Sequence, residues 1–307
     1  MRFFKKTSFK FMEIRNTLYV ISGAVITAGL ISLFVKGLDY GIDFLGGTEL
    51  IVQFQNEVAI GDVRDVLNRV GIGDAEVKTF GSNRDILIRT IEQGKGTTVS
   101  ERIRAGLSEQ FAGNPFTVLK EDAIGPKIGA ELRLDALYAI IFSLIAILLY
   151  IAFRFQFVYG LGAIAALAHD VLLTLGVLSI FNGVIPNLNL EINQNTVAAF
   201  LTLIGLSVND TVVIFDRIRE NKKNFRTMGL IELINKSINE TLSRTIITMG
   251  TIVLVLAVLF IFGGEVNRGF AFTLLIGIST GTYSSIYIAS AIVVEWSERF
   301  GKKAVKA

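Results

Sequence analysis

The chain contains no cysteine, so disulfides, thiolate metal sites and a thiol nucleophile are excluded, and any polar domain in it must hold together by packing. Proline is nearly as scarce, with three in 307 residues, and His169 is the single histidine. No G-x-x-x-x-G-K-[ST] run occurs, and the GKGT stretch at Gly94–Thr97 lacks that spacing. Nothing therefore marks a phosphate-cradling loop or points to ATP as a fuel. Nor does one sign of charge dominate. The formal net charge of +3 gives no reason to expect a nucleic-acid partner, because Lys and Arg gather beside the apolar runs. Apolar sequence is what the chain has in abundance. Hydrophobic residues make up 51% and mean hydropathy is +0.56, the signature of a polytopic membrane protein with an attached polar domain.

Residues 1–16 form a basic start with Arg2, Lys5, Lys6, Lys10 and Arg15, followed by an apolar run over 17–35 of bilayer-spanning length. The run is long for a cleaved signal and lacks a small-residue cleavage site, which favours a retained signal-anchor helix. Basic residues before it place its start in the cytoplasm and its end outside. Residues 36–133 have soluble composition. Strands are expected at Glu49–Phe54, Ala75–Phe80, Asp85–Thr90 and Phe116–Leu119, with Gly81, Ser82 and Asn83 as a hairpin-like turn. Ile60–Val70 and Val99–Phe111 carry apolar residues at spacings of three and four, as amphipathic helices do. Strand, helix, strand, strand, helix, strand is the order of a ferredoxin-like α+β sandwich. Gly41, Gly46 and Gly47 are expected to allow tight turns from the membrane into the first strand.

Residues 134–296 return to the membrane. Apolar runs at Leu137–Phe153, Val158–Phe181, Thr196–Phe215, Thr245–Phe262 and Phe270–Val294 make six spans with the first. The expectation is an all-α bundle of six transmembrane helices, with the α+β domain external and inserted between helices 1 and 2. Arg217, Arg219, Lys222, Lys223 and Arg226 mark a cytoplasmic loop at about 216–242, and Lys302, Lys303 and Lys306 a cytoplasmic tail at 297–307. Both termini are then cytoplasmic.

The later spans carry polar stripes. Ala163, Ala166, Asp170 and Thr174 share a face of the third; Thr202, Gly205 and Asn209 of the fourth; Arg244, Thr248 and Thr251 of the fifth; Thr273, Gly277, Thr280 and Ser284 of the sixth. Small and hydroxyl residues at that spacing serve close helix packing. Ionisable residues ask for more, since an Asp at the centre of a spanning helix costs about 2.5–3.5 kcal/mol unless a partner, water or a proton relieves it. Asp210, beside Asn209, either fixes packing or carries function, and Arg244 opening the fifth span is expected to meet it. Separating a carboxyl from an arginine changes its proton affinity. A unit charge crossing about 100 mV releases about 2.3 kcal/mol, enough to bias a two-state equilibrium roughly fifty-fold. His169, next to Asp170, suits a proton relay but serves equally as a hydrogen-bonded packing residue.

Four segments carry a resemblance. GIDFLGGTEL at Gly41–Leu50, ALAHD at Ala166–Asp170, SVNDTVVIFDRIREN at Ser207–Asn221 and TLSRT at Thr241–Thr245 together resemble the SecF branch of the SecD/SecF protein-export family, within the resistance-nodulation-division superfamily. The resemblance covers nearly the whole chain. It implies a subunit in the bacterial cytoplasmic membrane that uses the proton-motive force for late steps of polypeptide translocation. SecD, the SecYEG translocon, YajC, the unfolded polypeptide, protons and membrane lipid are the implied partners, with no cofactor. It assigns the essential acid to Asp210 and the essential arginine to Arg244. The basic start and immediate first span further imply a SecF polypeptide separate from SecD.

Two other readings stand beside it. A half-transporter of the same superfamily, moving lipid or a small molecule, fits the same architecture. An intramembrane aspartic protease would need Asp170 and Asp210 close enough to share a proton.

Overall fold

The computed structural model describes residues 7–92, 98–185 and 188–304, with backbone alone for 265–266 and 300–304. The GKGT segment, the earliest basic residues and Lys306 lie outside that set. Six helices among the described residues are long and apolar enough to cross a membrane. The first, α1 (Arg15–Lys36), leads into the polar domain, whose order is β1 (Gly47–Phe54), α2 (Ile60–Arg69), β2 (Glu76–Phe80), β3 (Ser82–Thr90), α3 (Thr98–Gln110) and β4 (Phe116–Ile124). Then come α4 (Pro126–Arg154), α5 (Phe157–Phe181), α6 (Gln194–Asn224) and α7 (Leu230–Phe262). The last span is α8 (Gly264–Ser284), a π-helical turn at Ser285–Ala289 and α9 (Ser290–Ala304) in one continuous run.

All four strands are antiparallel, in the order β2-β3-β1-β4. β1 is central and almost wholly buried. Alternation sends Leu50, Val52 and Phe54 to one face, where Val63, Val66 and Leu67 of α2 and Ile103 and Leu107 of α3 close the core. Glu49, Ile51 and Gln53 point to the other face, and Glu49 is buried too. Residues of the α5–α6 connection cover it. Asp39–Gly41 runs alongside Ile192, with Ile192 N–H donating to Asp39 at 2.8 Å and Gly41 N–H to Ile192 at 3.0 Å.

Several local expectations need correction. The hairpin is tighter than expected. Ser82 and Asn83 belong to β3, leaving Gly81 at φ +85° to make the turn. β4 runs on to Ile124, pairing along all of β1. Helix α4 starts at Pro126, ahead of the boundary at 134, because proline at the first helical turn forfeits no hydrogen bond. The expected loop at 216–242 is mostly helix. Charged side chains reward helix beyond the bilayer through pairs such as Arg217–Glu220, 2.8 Å apart, so only residues 225–229 connect α6 to α7. Gly46 and Gly47 both have positive φ, and a Cβ on Gly47 would lie 2.4 Å from the Thr90 carbonyl oxygen. Gly41 has φ −69° and makes no such turn.

Helix α1 packs on α5 through glycine. A Cβ on Gly29 would sit 2.5 Å from the Gly176 Cα, and Ser32 and Ser179 hydroxyls meet at 2.8 Å one turn on. This is the small-residue contact that lets membrane helices approach closely.

Candidate functional site

Two carboxyls sit inside the bundle. Asp170, midway along α5, is completely buried. Its Oδ2 accepts from Ser207 on α6 at 2.5 Å and from Ser284 on α8 at 2.8 Å, while Oδ1 lies 3.0 Å from His169 Nδ1. His169 continues outward, with Nε2 at 3.0 Å from Ser22 of α1. Ser22 meets the Tyr283 hydroxyl at 2.8 Å, and Tyr283 donates to the Leu18 carbonyl at 2.9 Å. Asp170 and His169 thus tie α1, α5, α6 and the last span together. A buried charge is tolerable only with such partners.

Asp210, also buried, is less well supplied. Thr245 of α7 donates to its Oδ1 at 2.8 Å, and the Ser285 hydroxyl is the other donor close to the carboxyl. Beside it Thr211 meets Ser285, at the start of the π-helical turn, at 3.1 Å. Such turns recur at functional sites because they shift the register of a helix face.

The expected contact between Asp210 and Arg244 is not made. Arg244 does not open α7 but lies within it, and its side chain is exposed with no ion pair among the described residues. The reason is rotational: Thr245 faces Asp210, so its neighbour Arg244 points about 100° away. Its charge remains within electrostatic range of Asp210. Asn209 is exposed for the same reason, and so are Thr202, Gly205, Thr248 and Thr251. Asp170 and Asp210 are thus buried inside the bundle, and Arg244 is not. Those acids have separate partners, and no hydrogen bond joins them among the described residues, so the shared-proton geometry of an aspartic dyad is not met.

A third ionic cluster lies where the polar domain meets the α5–α6 connection. Arg89 on β3 contacts both oxygens of Glu191 at 2.7 Å and Glu49 at 2.7 Å. Lys120 on β4 reaches Glu49 at 3.1 Å and Asp122 at 2.6 Å. Burial works against both cations. For Arg89, hydrogen bonds and charge from Glu191 and then Glu49 more than offset it, and the guanidinium is held above its usual range. Lys120 is raised likewise by Asp122 and Glu49.

Sequence reasoning missed Ser22, Tyr283, Arg89 and Glu191. Ser22 was visible as a rare polar residue in the apolar first span. Nothing in the spacing of Arg89 and Glu191, on separate elements far apart in the chain, could have joined them.

These observations meet the comparisons with known proteins. The family description "Protein export membrane protein SecD/SecF, C-terminal" matches residues 106–299, and "SecD/SecF GG Motif" matches residues 31–58. "Protein translocase subunit SecF" of Rhodothermus marinus is 46% identical over 97% of this chain and 96% of its own length. The protein of the same name from Desulfurispirillum indicum is 44% identical over 94% and 92%. Among solved structures, SecDF from Thermus thermophilus, described as a translocon-associated membrane protein, superposes with a TM-score of 0.83 at 38% identity. That match covers 96% of this chain but 39% of the longer SecDF chain. With the glycine segment, the helical region and near-full-length relatives in agreement, the chain belongs to the SecD/SecF family of protein-export membrane proteins.

Proposed function

We propose that the chain works as the SecF-type subunit of a SecD–SecF complex in the bacterial cytoplasmic membrane, coupling the proton-motive force to late steps of Sec-dependent polypeptide translocation. The observation that carries this reading is Asp210, a carboxyl buried inside the bundle with only the hydroxyls of Thr245 and Ser285 beside it and Arg244 within electrostatic range. An acid buried among spanning helices and held by neutral hydroxyls has two accessible states, ionised and protonated, that differ in the surroundings they favour. Asp170 and His169 extend the relay, while Asn209 and Arg244 lie on the outer side of the α6–α7 pair.

That outer side supports a helical partner. Because α6 and α7 are antiparallel and Asp210 faces Thr245, the residue preceding each contact rotates to the same side, so Asn209 and Arg244 share one face. An arginine facing lipid is costly, and a SecD bundle of similar build would cover it and supply partners. The βαββαβ domain, with its 4-1-3-2 order of strands, we read as a ferredoxin-like module on the external side, both termini being cytoplasmic. SecYEG and YajC complete the assembly in this reading, with the unfolded polypeptide as cargo and lipid around the bundle.

The test is Asp210→Asn in proton-loaded vesicles carrying the whole complex, scored for the late, ATP-independent phase of export. Intact assembly with proton dependence lost is the expected result; unchanged export reduces Asp210 to packing. A half-transporter would instead show proton-coupled movement of lipid or small solute that Asp210→Asn abolishes while export continues.

A further inference from the structure

The hydrogen bonds around His169 fix how many protons it shares with Asp170. Tyr283 has one hydroxyl hydrogen, and it goes to the Leu18 carbonyl, which can only accept. The hydrogen in the 2.8 Å contact between Ser22 and Tyr283 must then be the serine's. With that hydrogen used, Ser22 can only accept from His169, so Nε2 carries a proton. A neutral imidazole protonated at Nε2 presents a bare lone pair at Nδ1, and Nδ1 lies 3.0 Å from Asp170 Oδ1. Two lone pairs at that distance repel, so a second proton must lie between them.

We infer that the His169–Asp170 pair stores one proton more than a neutral imidazole beside a carboxylate, and that Ser22 and Tyr283 are positioning residues that wire this proton to α1. Resting on the proton-driven reading above, the inference adds a second storage site and its mechanical output. Release is a concerted shift along the chain. The Nε2 proton passes to Ser22 as Ser22 passes its own to Tyr283 and Tyr283 releases its own to solvent. Each of the three N–H or O–H bonds broken is matched by one formed, on Ser22, Tyr283 and the accepting water, so one proton and one positive charge leave.

The polarity of the chain is then reversed without any ring turning. Nδ1–H donates to Asp170, Ser22 donates to Nε2, Tyr283 donates to Ser22, and the Leu18 carbonyl loses its tyrosine. Leu18 and Ser22 belong to α1, which ends at Lys36 just before the segment paired with Ile192 and the first strand. The proton state of the pair is thereby linked to the docking of the helix that leads into the polar domain. The ionisable groups nearest the chain are Tyr19 on α1, which in turn neighbours Arg15 and Glu295, Tyr287 packed on the Tyr283 ring, and Asp210 one turn from Ser207. Among the described residues, none of them hydrogen-bonds to His169, Asp170, Ser22 or Tyr283.

His169 is the only histidine, so ¹⁵N-histidine labelling of the full chain, purified without a histidine tag and placed in lipid bilayers, reports on this residue alone. The expected spectrum has Nε2 protonated and Nδ1 sharing a proton at low pH. Stepping the pH from acid to alkaline across the range in which the chain stays folded should convert it to the Nδ1–H tautomer with Nε2 as acceptor. Ser22→Ala should abolish that conversion and Ser22→Thr should restore it. A neutral histidine with one unchanging tautomer across the range in the wild-type chain overturns the inference, as does a Ser22→Ala spectrum that titrates like wild type. Asp210→Asn separates this from the proposed function. Proton-driven export lost in that variant, with a static histidine spectrum in the wild-type chain, refutes the wiring alone. A histidine that converts as expected, with export intact in Asp210→Asn, refutes the proton-driven role of Asp210 and leaves the wiring standing.

Discussion

Arg89 sets its two terminal nitrogens on the two carboxylate oxygens of Glu191, both at 2.7 Å, joining a strand of the polar domain to the connection between α5 and α6. The pairing is bidentate and nearly dry, with side-chain exposures of 10% and 4%. Such a fork fixes orientation as well as distance. Arg89→Met should therefore leave Glu191 buried with only Lys78, 3.9 Å away, as a counter-charge and destabilise docking by up to about 3–5 kcal/mol, whereas Arg89→Met with Glu191→Met should cost less than Arg89→Met alone. Hydrogen exchange at Asp39–Gly41 and Ile192, whose backbones pair, reads the effect directly. Equal exchange in wild type and Arg89→Met would remove the contact from any role in docking.

Lys120 gives the same junction a pH signature. Its pKa is raised by Asp122 and Glu49 against the pull of burial. A cation raised on folding contributes fully below its unfolded pKa, about 10.4, and that contribution fades as pH climbs through the higher folded value. Lys120→Met should thus lower the stability of the polar domain at pH about 8 and lose that effect at strongly alkaline pH. Chemical denaturation at the two pH values, followed by tryptophan-independent circular dichroism, makes the comparison.

Gly29 and Gly176 predict a sequence-specific fault line. Replacing Gly29 with leucine puts a side chain where the Gly176 Cα already stands 2.5 Å from the first added carbon, so α1 has to move off α5. The natural absence of cysteine makes this measurable. Ser32→Cys with Ser179→Cys, replacing hydroxyls 2.8 Å apart, should oxidise to a disulfide, and adding Gly29→Leu should sharply lower the yield. An undiminished yield would show that the glycines are not what seats α1.

The architecture was largely legible because periodicity reports burial one element at a time. Apolar runs of bilayer length gave the six spans, and alternation between strand and helix periods gave the order of the polar domain. The interior acids were legible for the same reason, since Asp170 and Asp210 stand out against apolar surroundings. Which faces meet was not. Thr202, Gly205 and Asn209 form as good a stripe as Thr273, Gly277 and Ser284, yet the first is exposed and the second buried. Periodicity identifies a polar stripe without identifying its partner. Arg244 shows the limit most clearly, because one residue of rotation separates a contact with Asp210 from an outward-facing charge.

Thr245 donates to Asp210 Oδ1 at 2.8 Å, with the Ser285 hydroxyl as the other nearby donor, so removing the threonine hydroxyl takes away the shortest hydrogen bond the acid has. Thr245→Val keeps the shape and removes the donor, and should cost about 1–3 kcal/mol, the usual penalty of a buried acceptor left unsatisfied. Thr245→Ser keeps the donor and should stay close to wild type. Thermal unfolding of the purified chain in one detergent ranks the three. Equal midpoints for Thr245→Val and wild type would mean that Asp210 is supplied by something other than Thr245.

Asn209 and Arg244, turned to one side of α6 and α7, lead to a prediction about assembly. In a cysteine-free chain, spin labels at Asn209→Cys and Arg244→Cys report on that face alone. With the chain by itself in bilayers the labels should be mobile and accessible to oxygen dissolved in lipid, since both positions are exposed. Adding SecD should immobilise both and reduce their oxygen accessibility, because a charge facing hydrocarbon is relieved by any polar helix surface offered to it. A label at Val20→Cys on α1, 72% exposed, provides the contrast and should change little. If the Arg244 label stays lipid-accessible in the assembled complex, SecD docks elsewhere, and the arginine must find its counter-charge within its own subunit through a rotation of α7.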